Sequence, residues 1–97
     1  MKAVFLDGAA CPERADVFRA FEKALDLPVG TGRNLDALHD VLTERRDEIG
    51  VVALNFESLE ERFPAFAEAF LKLMKELKKS RPGFFFTRSP FGKRGKK

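Results

Sequence analysis

The sequence predicts an α/β fold: a small three-stranded parallel sheet packed by three main helices. Short apolar runs at 2–6, 51–55 and 84–88 have the length of strands. The segments between them, near 13–26, 34–48 and 59–79, place apolar residues at helical spacing. Strands separated by helical crossovers pair in parallel, because only a long connection returns the chain to the same direction. The sequence leaves the strand order open.

Taken in order, Ala3, Val4, Phe5 and Leu6 suit a strand buried on both faces, ended by Asp7 and Gly8. Pro12 fits the first turn of a helix, where its missing N–H costs nothing, and Glu13 and Asp16 suit the positive end of the dipole. Val17, Phe18, Phe21 and Leu25 supply the apolar stripe. Pro28, Gly30 and Gly32 then exclude regular structure from 27–33. Asn34 is a good N-cap, since its side-chain oxygen can accept from the free N–H groups of the first turn. Leu35, Leu38 and Leu42 face the core from a helix expected to reach Glu48, with Arg45 and Arg46 near its negative end.

Gly50 resets the chain for a second buried-type strand through Val51, Val52, Ala53 and Leu54. Ser58 and Glu61 match a capping box, and Pro64 begins or kinks the main helix soon after. Phe63, Phe66, Ala67, Phe70, Met74 and Leu77 fall at 0, 3, 4, 7, 11 and 14, the clearest helical period in the chain. Pro82 and Gly83 stop that helix, and Phe84, Phe85 and Phe86 open the third strand. The expected organisation is one domain over 1–88 and a basic, flexible tail over 89–97.

Composition narrows the function classes. The 97 residues fit one domain, and no run approaches the roughly 18 apolar residues of a membrane span. The N-terminal apolar run is too short for a signal peptide. A single cysteine, Cys11, permits no internal disulfide and fits a reducing cytosol, so a cytoplasmic location is expected. Trp and Tyr are absent while Phe is abundant at 11, so the aromatic side chains are assigned to packing. The net charge of +3 hides a division, with a balance of −6 over 1–71 and +9 over 72–97.

Asp36 and Asp40 lie four apart on one face of the helix after Asn34, with His39 and Thr43 beside them and Asp47 two turns beyond Asp40. By composition this is a capped, solvated acidic face. His39 could be drawn with Asp36 or Asp40 as an acid–base pair, yet no nucleophile, metal-ligand set or phosphate-binding glycine motif accompanies it. Gly30 and Gly32 are followed by neither a P-loop lysine nor a third fingerprint glycine, so they read as a turn. Cys11 near a helix start could have a lowered pKa, although a lone cysteine is more often an inert small residue. No enzyme, metal or cofactor is expected.

Pro28, Gly32, Asn34, Leu35, Asp36, Ala37, Leu38, Asp40, Leu42 and Thr43 resemble the core segment of the barstar family, intracellular inhibitors of barnase-type ribonucleases. The upstream run from Phe21 to Pro28 is also similar, and the specific match spans 18–43. The resemblance implies a monomeric inhibitor of a small basic ribonuclease. It further implies that Asp36 and Asp40 face the nuclease, with Glu76 as a peripheral acidic contact on the last helix. Gly30, Thr31, Arg33, Asn34, His39 and Thr43 complete the expected partner-binding set.

Several positions depart from the family pattern. Gly30 and Thr31 stand where the family loop has aromatic residues, His39 replaces a tryptophan, and Arg33 replaces an acidic residue, which weakens the negative field. The physical case for an inhibitor is that a ribonuclease lines its site with cations to hold phosphates. Carboxylates on a rigid element can replace those phosphates. The rival class is a nucleic-acid-binding module. Lys78, Lys79, Arg81, Arg88, Lys93, Arg94, Lys96 and Lys97 would track a phosphate backbone, with Phe91 stacking on a base.

Overall fold

The computed structural model describes residues 1–30 and 33–89; Thr31, Gly32 and 90–97 lie outside the described residues. The elements are β1 (Lys2–Asp7), a 3-10 turn (Gly8–Ala10), α1 (Ala15–Leu25) and α2 (Leu35–Glu44). They continue with β2 (Ile49–Leu54), α3 (Phe56–Arg62), α4 (Pro64–Ser80) and β3 (Phe84–Arg88). The strands are parallel in the order β1-β2-β3, with Val4 opposite Val51 and Val51 opposite Phe86. Ser89 extends the ladder by donating its N–H to the Ala53 carbonyl at 2.8 Å.

The α/β class and the parallel sheet are as expected, but the strands are not buried on both faces. Val4, Leu6, Ile49, Val51, Ala53 and Phe84 are buried on one face, whereas Phe5 is 64% and Phe85 51% exposed on the other. The cause is topological. Each crossover advances one strand in the same direction, and right-handed crossovers of that kind lie on one side of a sheet. A continuous apolar run therefore does not distinguish this half-open sheet from a fully covered one.

Three boundaries also differ. The helix after Asn34 stops at Glu44, because Arg45 turns to an extended conformation and grips Asp47 through Nε at 3.0 Å and Nη2 at 2.7 Å. Asp47 is thus outside the helix and off the acidic face. The buried Arg81 closes this segment by donating from Nη2 to the carbonyls of Arg45 and Asp47 at 2.7 and 2.6 Å.

The stretch expected as helix over 59–79 is two helices, α3 and α4, broken at Phe63: of the two alternatives at Pro64, it begins the main helix and does not kink it, and proline disfavours a helical predecessor. Ser58 does not cap α3. Its N–H donates to the carbonyl of Asn55, the residue that precedes the helix in a left-handed conformation. Pro12 likewise precedes α1, and the Asp16 carboxylate accepts the Glu13 N–H at 3.0 Å instead.

Phe70 of α4 is the centre of the core. It is fully buried and meets Phe21 of α1, Phe56 of α3, Phe86 of β3 and Phe66 one turn back, at centroid distances of 5.9–6.4 Å. Phe70→Ala should cost about 3–5 kcal/mol of stability in urea unfolding, the range for deleting a large buried aromatic. Phe85→Ala, on the open face, should change it by no more than about 0.5 kcal/mol.

Candidate partner-binding site

The site grows out of the connection between α1 and α2. Asp26 ends α1 in a left-handed conformation, and the N–H groups of Asp26 and Leu27 both donate to the Glu22 carbonyl. Gly30 has φ +94°, a conformation that a residue with a side chain rarely adopts. Its N–H donates to Glu22 Oε2 at 2.9 Å. Arg33 closes the connection with two bonds onto the same carboxylate, Nε to Oε2 at 2.7 Å and Nη2 to Oε1 at 3.1 Å. The Glu22 side chain is nearly buried.

Arg33 holds the Glu22 carboxyl below the usual carboxylate range, opposed by burial and aided by the Gly30 N–H. The positive charge of Arg33, expected to weaken the negative field of the site, is therefore matched by Glu22.

Asn34 then caps α2 as expected, its Oδ1 accepting the Ala37 N–H at 2.8 Å. Leu38 and Leu42 fix α2 against the core. Asp36 and Asp40 are exposed on the helix they share, and Asp36 has no ion-pair partner among the described residues. His39 leans across to α4: its Nδ1 is 3.8 Å from Asp40 Oδ1 and its Nε2 3.7 Å from Glu76 Oε2. Both separations are too long for hydrogen bonds, so the carboxylates keep their acceptor capacity. Thr43 turns its hydroxyl back onto the His39 carbonyl at 2.7 Å.

These elements make a groove between α2 and α4, lined by Leu35, Asp36, His39, Ala69, Lys72 and Glu76. Asp36 also borders a second hollow, with Arg14, Phe18, Arg33, Asn34 and Phe66. Of the expected set, Asp36, His39 and Glu76 come together in the groove and Asp40 stands beside His39. Gly30, Arg33 and Asn34 lead into α2, Thr43 lies a turn beyond His39, and Thr31 lies outside the described residues.

The chain matches the sequence model of the Barstar (barnase inhibitor) family over residues 1–87. It belongs to that family. Among curated proteins, none matches the chain. Membership in the Barstar family implies an inhibitor of barnase-type ribonucleases and excludes an enzyme.

Cys11 is buried and its thiol is pushed up to about 11, first by burial and then by Asp16 and Asp7, so it is not the activated thiol that its place near a helix start allowed. Among the described residues no group of His, Cys, Asp and Glu could hold a metal ion, and no helix is long and apolar enough to cross a membrane.

Two residues of the site were not singled out by sequence reasoning. Glu22 lies four residues after Phe18 and three before Leu25, on the apolar stripe of α1, where a carboxylate demands a partner. That signal was present. Lys72 enters the groove only because α4 packs against α2, which no local pattern records.

The Glu22 carboxyl gives a pH expectation. Its folded-state pKa lies below the ordinary 4.5, so its stabilisation is complete above that pH and is lost as pH falls through the depressed value. The thermal midpoint should therefore fall on acidification below pH 4.5, and Glu22→Gln should give a shallower fall when melts are compared at successive pH values.

Proposed function

We propose that this Barstar-family chain blocks the active site of a small basic ribonuclease of the barnase type with the carboxylates of α2. The carrying observation is that Asp36 and Asp40 are exposed on a core-anchored helix and, among the described residues, neither makes an ion pair with a lysine or an arginine. Such carboxylates can occupy the phosphate positions of a nuclease through charge-assisted hydrogen bonds to its Arg, Lys and His side chains.

Glu76 extends the acidic surface onto α4, and His39 sits between Asp40 and Glu76. Gly30, Thr31, Asn34 and Thr43 complete the contact surface, with Arg33 at its edge. The opposite fields of inhibitor and enzyme speed the encounter. The inhibitor works as a monomer in the cytoplasm, meeting the nuclease before its substrate RNA does.

A second reading is supported by Lys72, Lys75, Lys78 and Lys79, which are exposed along α4 and have no ion-pair partner among the described residues. Together with Lys93, Arg94, Lys96 and Lys97 they could follow a nucleic-acid backbone. The two readings differ in which end of the chain matters.

Asp40→Ala should weaken barnase binding by about 2–5 kcal/mol, because it strands a buried cation of the enzyme. The same change should leave folding stability within about 0.5 kcal/mol, as for an exposed position. Removal of 90–97 should leave barnase affinity intact. Binding that needs 90–97 and ignores Asp36→Asn and Asp40→Asn, measured with barnase and with single-stranded RNA, would select the nucleic-acid reader instead.

A further inference from the structure

We infer that Glu22 and Arg33 form a latch that positions the acidic helix for its partner, so that Arg33 acts on binding through Asp36 and not as a contact. The inference rests on the proposed inhibitory face and adds the residues that hold that face in place.

One residue, Glu22, holds the connection at Asp26, Leu27, Gly30 and Arg33. The main-chain carbonyl of Glu22 takes the N–H groups of Asp26 and Leu27, where the connection begins. Its carboxylate takes the Gly30 N–H in the middle and both arms of the Arg33 fork at the end. Glu22 itself is 6% exposed on the apolar face of α1, so its position is set by the core. Arg33 directly precedes Asn34, whose side chain caps α2, and Asp36 follows within the first turn. Only Asn34 and Leu35 therefore separate Arg33, bonded to the core-fixed carboxylate, from the exposed Asp36 along the chain.

A connection containing Pro28, Gly30 and Gly32 has many alternative conformations when untied, since glycine restricts the backbone least. Ordering it during association would subtract from the binding free energy, whereas a connection ordered beforehand carries no such loss. The fork geometry also explains the residue type. Arg33 can bond both carboxylate oxygens at once, while a lysine could hold them only as a point charge. Satisfied in this way, Arg33 presents little net charge to a basic enzyme.

The test uses the full chain with Arg33→Met, Arg33→Lys and Glu22→Gln, each made alone and combined with Asp36→Ala. Association and dissociation rates with barnase are measured, together with native-state amide exchange at Gly30. Arg33→Met should accelerate Gly30 exchange and weaken binding about tenfold, with Arg33→Lys in between and Glu22→Gln also weakened. In the Asp36→Ala background the loss on Arg33→Met should shrink to less than about threefold, because a positioning residue has less left to position.

Unchanged Gly30 exchange, a full and additive loss in the Asp36→Ala background, or tighter binding by Arg33→Met would each overturn the latch. Failure of the parent chain to bind barnase would instead refute the inhibitory reading, and the amide-exchange arm would still decide whether the latch exists.

Discussion

The architecture depends on one topological constraint: the sheet grows in a single direction, so both helical crossovers must share one face. All the apolar surface that α1, α2, α3 and α4 bring must then meet over Val4, Leu6, Ile49, Val51 and Ala53. Phe70 is where that convergence is most evident, since its ring meets rings from α1, α3 and β3. The same crowding sets α2 beside α4, two helices that belong to different crossovers. Their seam is the groove that gathers Asp36 and His39 from one helix and Lys72 and Glu76 from the other. The site is thus a consequence of how the core is filled.

The charges divide by task. Five arginines are tied into the framework, where a planar fork can satisfy carboxylates and carbonyls together. Arg33 binds Glu22, Arg45 binds Asp47, Arg81 binds the carbonyls between α2 and β2, Arg62 binds the Cys11 carbonyl and Arg88 binds Glu60. The lysines of α4 stay in solvent, as a hydrated point charge on a flexible stem favours. These five arginines are paired with acids or carbonyls, while Asp36 and Asp40 are left exposed.

Much of this was legible in the sequence, for identifiable reasons. The strands, the stripe of α1, the Asn34 cap and the period of Phe66, Phe70 and Met74 are local patterns, and each reappears in the structure. What the sequence could not show depends on partners far along the chain. The end of α2 at Glu44 is enforced in part by Arg81, thirty-six residues after Arg45. The open face of the sheet depends on strand order. Arg33 read as a charge pointing toward a partner because its true partner lies eleven residues back, on another helix. For Cys11 the sequence favours an inert small residue over an activated thiol, and burial with two nearby aspartates, which raise its pKa, agrees with that preference.

The lack of aromatic anchors on the proposed face changes what must supply affinity. Large rings at an interface contribute through area buried in well-packed pockets. Gly30 and His39 cannot supply that area at the positions where the family pattern has aromatics. Carboxylates behave differently. Desolvating Asp36 and Asp40 is costly, and the return comes only if each meets its cation with good geometry. An interface weighted toward charge therefore depends more steeply on how well its groups are held before contact. The carboxylate of Glu22, fixed in the core and bonded to both Gly30 and Arg33, meets that demand from within the fold.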